Sequence, residues 1–120
     1  MIDEPLNKLE ADILRALDDR RGRNNAIGRA ELVRKINDMC PLFPVSERTI
    51  RKTIKHLVER HGEWIGSCRD GYFIIQTQEE LTNACKYYHG YALSLLHVEA
   101  RLRKVSLPAL IGQLQIEFKT

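Results

Sequence analysis

Apolar residues near the start of the chain recur at the three- and four-residue spacing of amphipathic helices. The first series follows Pro5, which suits a first helical turn, and predicts a helix over residues 5–20: Leu6, Leu9, Ile13, Leu14 and Leu17. A second series predicts a helix over residues 29–39: Ala30, Leu32, Val33 and Ile36. Pro41 and Pro44 end that helix, because proline lacks an amide donor and disfavours helical backbone in the residue before it.

A third helix is predicted over residues 47–61, followed by a β-hairpin. Ser46 is a suitable N-cap, and Gly62 stands where a left-handed residue would end the helix. Its apolar positions form one face: Ile50, Ile54, Leu57 and Val58. Two short runs of aromatic and β-branched residues then flank a turn that contains Asp-Gly, which is typical of a hairpin: Trp64–Ser67, Tyr72–Ile75 and the turn Cys68–Gly71. Ala26 and Ile27 are predicted to form a short extended segment.

A long fourth helix is predicted over residues 78–104. Thr77 and Glu80 have the spacing of a capping box that would begin it. Its apolar residues keep a strict three-four spacing, which we call the apolar seam: Leu81, Ala84, Tyr88, Tyr91, Leu95, Val98 and Leu102. At 1.5 Å per residue the helix would be about 40 Å long and should protrude from a small domain. The type of the last apolar stretch, residues 109–118, stays open.

These elements predict a mostly α protein with a small β-hairpin and a long C-terminal helix. We expect two parts, residues 1–76 and 77–120. The 120 residues, 43% hydrophobic and 29% charged, are typical of a small folded protein and exclude a large multidomain enzyme or a disordered chain. No apolar run is long enough to span a membrane, and the acidic start does not resemble a secretory signal, so a cytoplasmic location is expected. The cysteines, Cys40, Cys68 and Cys85, are odd in number and lack a CxxC motif, so we interpret them as free thiols.

The formal net charge is only +3, but the positive charge is concentrated in the first half of the chain. Residues 20–35 contain six cations against Glu31: Arg20, Arg21, Arg23, Arg29, Arg34 and Lys35. Residues 46–60 contain five more against Glu47 and Glu59. Such asymmetry favours a polyanionic partner, and the alternative is an ordinary solvated surface.

The third helix separates its apolar and charged residues. At 100° per residue, Arg48, Lys52 and Lys55 lie opposite the apolar face, and Thr49 and His56 flank them. We call Arg48, Lys52 and Lys55 the cationic face. Such side chains donate hydrogen bonds to guanine edges or to phosphates.

The runs Ala30–Ile36, Val45–Leu57, Ile65–Ser67 and Gly71–Ile74 together resemble winged helix-turn-helix DNA-binding domains. The type is similar to that at the N-terminus of biotin repressors and in small phage or prophage proteins, and the resemblance covers about residues 6–76. It differs in the longer segment Asn37–Val45 between the second and third helices. No biotin-ligase catalytic domain follows, so the resemblance implies DNA binding alone.

The resemblance implies that the third helix enters the major groove of double-stranded DNA and that the hairpin contacts DNA beside it. Arg69 lies at the predicted hairpin tip, and Arg21, Arg23 and Arg29 lie where guanidinium groups would clamp phosphate. The candidate DNA-contacting residues are Ser46, Arg48, Thr49, Lys52, Lys55, His56, Arg69, Arg23 and Arg29. The expected function is that of a transcriptional regulator or a phage or mobile-element DNA-binding factor.

The apolar seam needs another apolar surface to cover it. A second copy of the chain is the simplest source of such a surface, so a homodimer is expected. Alternatively, residues 107–118 fold back over the seam, or Gly90 breaks the fourth helix. An alternative function is a protein-interaction module that binds another protein through the fourth helix.

Catalytic and metal-binding patterns are weak. Cys85 and His89 are one helical turn apart but have no third ligand, so no metal site is expected there. No catalytic triad or phosphate-binding loop is present, and neither enzymatic activity, a cofactor, nor a small-molecule ligand is expected. Trp64, Tyr72 and Phe73 are predicted to lie in the core rather than to stack on single-stranded nucleic acid.

Overall fold

The computed structural model describes residues 5–119 of the backbone and the side chains of residues 5–115. The described helices are α1 Lys8–Leu17, α2 Arg29–Met39, α3 Glu47–His61, α4 Gln78–Arg103 and α5 Leu107–Lys119, and the strands are β1 Ile65–Cys68 and β2 Gly71–Ile74. A short 3-10 turn covers Arg23–Asn25. The prediction of a mostly helical protein with a small hairpin and a long C-terminal helix is confirmed.

Helix α1 is shorter than the predicted 5–20, because a capping box sets its start. The Glu10 amide donates to Asn7 Oδ1 at 2.8 Å, and the Asn7 amide donates to Glu10 Oε1 at 2.9 Å. The helix therefore begins at Lys8, and Leu6 stays outside it with 42% of its surface exposed. The apolar spacing of Leu6 suggested a helical position that the cap excludes.

Helices α2 and α3 have the predicted bounds, and the segment between them is held by a single side chain. Asn37 Oδ1 accepts from the Val45 amide at 2.8 Å, and Asn37 Nδ2 donates to the Val45 carbonyl at 3.2 Å. The Ser46 hydroxyl caps α3 by accepting from the Thr49 amide at 3.2 Å, and Gly62 ends it with φ of 66°. The longer segment is thus fastened at the point where α3 begins.

The hairpin pairs β1 with β2 in antiparallel register from Ile65↔Ile74 to Cys68↔Gly71, so Arg69 and Asp70 form the turn. Ile27 extends this pairing as the predicted short segment: its amide donates to the Tyr72 carbonyl at 2.8 Å and its carbonyl accepts from the Tyr72 amide at 3.0 Å. Gly71 has φ of 130°, and a Cβ at this position would lie 1.8 Å from the Ile27 carbonyl oxygen. Only glycine therefore fits here.

One core joins α1, α2, α3 and the hairpin. Its buried members include Ile13, Leu17, Ile27, Leu32, Ile36, Ile50, Ile54, Leu57, Ile65 and Tyr72. The predicted inward face of α3 is confirmed, with Val58 half-buried at its edge. Phe73 is buried as predicted, but Trp64 is 56% exposed, so its assignment to the core was wrong. The Trp64 carbonyl accepts from the Ile75 amide at 2.8 Å, and neighbouring residues of an extended segment point to opposite faces, so the burial of Ile65 leaves Trp64 on the outer face.

The first turn of α4 is tied to the loop before α2. Glu80 forms the predicted capping box with Thr77, whose hydroxyl accepts from the Glu80 amide at 3.1 Å. The Glu80 carboxylate also accepts from the amides of Arg23 at 2.9 Å and Gln76 at 2.8 Å. The hydrogen bond from the Arg23 amide, followed by that from Gln76, lowers the pKa of Glu80.

The chain divides into two compact units, Met1–Thr82 and Asn83–Thr120, and this division lies inside α4. In the second unit, α4 continues through Gly90 and ends at Arg103. The next residue, Lys104, has φ of 60°, and the Val105 amide donates to the Ala100 carbonyl at 3.0 Å. The last apolar stretch is the helix α5. No helix in the described part of the chain is long and apolar enough to cross a membrane.

Candidate nucleic-acid interface

The cationic face of α3 is fully presented to solvent. Arg48, Lys52 and Lys55 are exposed, and none of them forms an ion pair with any other described residue. Arg51 is a further exposed cation on the same helix, which the helical-face argument did not select because it lies nearer the apolar arc. Helix α3 thus carries a concentration of positive charge that the rest of the described structure does not neutralise.

Two hydroxyl groups mark the start of this helix. Ser46 Oγ accepts from the Thr49 amide, and it lies 3.1 Å from Thr49 Oγ1. Both residues are exposed. Their first role is therefore to cap α3, and their remaining hydrogen-bonding capacity faces solvent.

The hairpin tip and the N-terminus of α2 differ in how their arginines are used. Arg69 is exposed in the turn between β1 and β2, without an ion pair in the described structure. Arg29 is half-buried: its Nη2 donates to Ser67 Oγ at 3.3 Å and to the Cys68 carbonyl at 3.5 Å, and its guanidinium lies 5.2 Å from the centre of the Tyr72 ring. Arg29 therefore fastens the hairpin to α2, and we assign it this positioning role instead of the phosphate contact predicted from sequence.

Part of the basic run at residues 20–35 is neutralised. Arg21 pairs with Asp18 at 2.9 Å, and Arg20 lies 3.3 Å from Glu31. Arg23 differs, because its hydrogen bonds in the described structure come from its backbone: its amide donates to Glu80 and its carbonyl accepts from the Ala26 amide at 3.2 Å, while its side chain is exposed. The charge count along the sequence thus overestimates the positive charge available at this end of the unit.

His56 belongs to a different environment from the cationic face. Its side chain is 46% exposed, but its Nε2 lies 3.6 Å from Glu10 Oε2 of α1, and Nε2 of His61 lies 3.3 Å from the same oxygen. We call Glu10, His56 and His61 the Glu-His-His cluster. Its Glu10 and His56 also line an open surface pocket of about 230 Å³, together with Asn7, Thr49, Lys52 and Thr53.

Sequence reasoning missed this cluster for a geometric reason. His56 and His61 are five residues apart, about 140° around an ideal helix, so spacing alone does not place them on one face. Helical spacing also assigns no role to Glu10. The capping-box spacing of Asn7 and Glu10 was the signal that would have fixed this carboxylate at the start of α1.

The apolar seam of α4 is largely uncovered. Five of its residues are exposed: Tyr88, Tyr91, Leu95, Val98 and Leu102. Leu81 and Ala84 are half-buried. Leu93 and Leu96 are half-buried and Ala100 is buried, and these three residues lie on a face of α4 about 150° away from the seam. In the described structure, α5 therefore does not cover the seam.

The cysteines and the Cys85/His89 pair form no further site among the described residues. The three cysteines are free, and Cys85 and His89 are both exposed on α4 without a third ligand among the described residues. Among the described side chains, those of residues 5–115, the Glu-His-His cluster is the group of three whose metal-ligating atoms lie close together.

Comparison with known proteins found no relative of this chain: no protein-family model matches it, and neither a curated protein nor a solved structure matches it. A functional assignment therefore has to be argued from the residues and contacts described above.

Proposed function

We propose that this chain is a double-stranded DNA-binding protein of the winged helix-turn-helix kind. The observation that carries the proposal is the cationic face of α3, which is exposed and unpaired in the described structure. A solvent-facing helix without a polyanionic partner usually mixes charges of both signs, whereas α3 carries five cations against Glu47 and Glu59.

The order of elements supports this proposal. Helices α1, α2 and α3 and the β1–β2 hairpin share one core, and Ile27 joins the hairpin as a third extended segment. An α-helix fits the major groove, and residues in its first turns reach base edges. In this arrangement Arg48, Lys52 and Lys55 contact bases or phosphates, and Ser46 and Thr49 donate to backbone phosphate.

Outside α3, two exposed arginines are proposed to contact the DNA backbone. Arg69 does so from the hairpin tip, and Arg23 does so from the loop that Glu80 holds in place. Arg29 acts indirectly, because its contacts to Ser67 and Cys68 set the position of the hairpin.

We further propose that the protein acts as a homodimer and serves as a transcriptional regulator or a phage or mobile-element DNA-binding factor. The exposed seam on α4 supports a self-complementary interface, since two-fold dimers are the commonest assemblies. A dimer supplies two copies of α3, which suits paired half-sites.

The proposal is tested by fluorescence anisotropy with a labelled pool of random-sequence duplexes at low salt. The wild-type chain is expected to bind the pool, and the triple variant Arg48→Ala, Lys52→Ala, Lys55→Ala is expected to bind at least about tenfold more weakly. Lys86→Ala, an exposed lysine of α4, is the matched control and should leave binding unchanged. Equal binding by the triple variant would exclude α3 as the DNA-contacting element.

A second candidate function is a protein-interaction module, and the exposure of Tyr91, Leu95 and Val98 favours it. In that case α4 binds a different protein, and the cationic face is only solvated. Association through apolar side chains hardly weakens as salt rises, whereas phosphate contacts weaken steeply, so the salt dependence of binding separates the two functions.

A further inference from the structure

We propose that Glu10, His56 and His61 form a binding site for a divalent transition metal of the zinc type, which links α1 to α3. The site stands on its own geometry and does not depend on the proposed DNA binding. The three ligand atoms, one carboxylate oxygen and two imidazole nitrogens, all lie within 4.8 Å of one another.

One oxygen of the Glu10 carboxylate is held by a hydrogen bond, and the other has no donor in the described structure. The side chain is buried, with 3% of the residue exposed, although it is charged. Oε1 accepts the capping-box hydrogen bond from the Asn7 amide at 2.9 Å. Oε2 is fully buried and has no hydrogen-bond donor in the described structure. A buried carboxylate oxygen without a donor is costly, and a cation satisfies it.

The two distances from Glu10 to the histidines suit a tetrahedral ion. With zinc bonds of about 2.0–2.1 Å to oxygen and nitrogen, two ligands of a tetrahedral site lie about 3.3 Å apart. Glu10 Oε2 lies 3.3 Å from His61 Nε2 and 3.6 Å from His56 Nε2. The two imidazole rings are 5.4 Å apart at an angle of 72°, so they converge on the oxygen from different directions instead of stacking.

The ligand chemistry selects the class of metal. Two imidazoles and one carboxylate favour Zn²⁺ and its neighbours Co²⁺ and Ni²⁺, whereas Mg²⁺ and Ca²⁺ prefer oxygen ligands throughout. The bond from the Asn7 amide orients the carboxylate, as outer-shell partners do in metal sites. The adjoining pocket gives an ion access and leaves room for water as a fourth ligand. Bound metal would fasten the start of α1 to the second half of α3.

The test titrates the full-length, chelator-treated chain with Zn²⁺ in a calorimeter and with Co²⁺ in an absorption spectrometer. The wild type should bind a single ion per chain, and Co²⁺ should give the intense visible bands of a tetrahedral site. His61→Ala and Glu10→Gln should each weaken binding by at least about 100-fold. Glutamine still forms a capping box, so Glu10→Gln keeps α1 intact and separates loss of a ligand from loss of folding.

His97→Ala is the matched control, because His97 is an exposed histidine of α4 outside the cluster, and it should bind metal like the wild type. Absence of binding by the wild type would overturn the proposal and leave the cluster as a contact between a buried glutamate and two histidines. Binding that survives in His61→Ala and Glu10→Gln but is lost in the double variant Cys85→Ser, His89→Ala would overturn it equally, by placing the metal on α4.

Discussion

Individual side chains on α3 divide into an exposed cationic set and a buried apolar set, and the two sets serve different purposes. Lys52 and Lys55 project into solvent without an ion pair in the described part of the chain, so they contribute little to folding. Ile54, on the same helix, is buried in the core. Substitutions within one helix can therefore separate binding from stability.

Lys52→Ala and Lys55→Ala are each expected to weaken duplex binding while leaving the thermal stability almost unchanged. A lost base contact should cost about 1–3 kcal/mol at a selected cognate site, and a lost phosphate contact should cost less and act evenly on all sequences. Anisotropy on a cognate duplex, obtained by selection from random sequences, and on a scrambled duplex distinguishes the two. If both variants bind both duplexes as the wild type does, neither lysine contacts DNA.

Ile54→Ala is expected to lower the free energy of unfolding by roughly 2–5 kcal/mol, because it removes buried methyl groups where α3 meets α1 and α2. Denaturant titration measures the loss, and Lys55→Ala on the next residue is the control. A loss under about 0.5 kcal/mol, typical of surface positions, would mean that the face assigned to the core is wrong.

For single residues, the sequence predicts which face of a helix a side chain lies on better than it predicts which distant residues that side chain contacts. Helical spacing identified Ile54 as buried and Lys55 as exposed, because both follow from the phase of one element. It did not reveal that Arg29 binds Ser67, 38 residues later. Nor did it predict that Glu10 lies beside His56 and His61, because those contacts depend on how α1 packs against α3.

Among the elements, the helix ends and the hairpin depend on a few local residues. Ser46, Gly62 and the Thr77/Glu80 pair were predictable as caps, since each acts within three or four residues along the chain. The start of α1 was misplaced because its prediction rested on Pro5 and Leu6 and did not consider the Asn7/Glu10 capping box. The helical nature of α5 stayed open because a short apolar stretch is compatible with either element type.

Two glycines should respond in opposite ways to alanine. Gly71→Ala is expected to destabilise the fold by about 1–3 kcal/mol or more, because its φ of 130° and the nearby Ile27 carbonyl exclude a side chain. Gly90→Ala should stabilise by about 0.5–1 kcal/mol, since Gly90 lies inside α4 with open space around it. Thermal denaturation compares both with the wild type. A destabilising Gly90→Ala would contradict a continuous α4.

At the scale of the whole molecule, the exposed apolar seam is the feature that suggests an interaction partner. Leu95, at its centre, is 54% exposed, and its neighbours Tyr91 and Val98 are exposed as well. Tyr91 also stacks on Tyr87, with ring planes 2° apart, which extends the apolar surface beside the seam. Contiguous apolar surface of this kind is typical of interaction sites.

Leu95→Glu is expected to convert a dimer into a monomer, because burying an unpaired carboxylate in the seam costs several kcal/mol. Sedimentation should give about twice the chain mass for the wild type and a single chain mass for the variant. His97→Glu introduces the same charge away from the seam and should remain dimeric. A wild-type chain that is monomeric at high micromolar concentration would contradict the proposed assembly.

The central claim, that α3 binds the DNA backbone and bases through its cationic face, is tested most directly by the salt dependence of duplex binding by the wild-type chain. If Arg48, Lys52 and Lys55 each neutralise a phosphate, the logarithm of the binding constant should fall against the logarithm of salt concentration with a slope of about −3 or steeper. Duplex binding that is absent at low salt, or that does not change as salt rises, would contradict the claim.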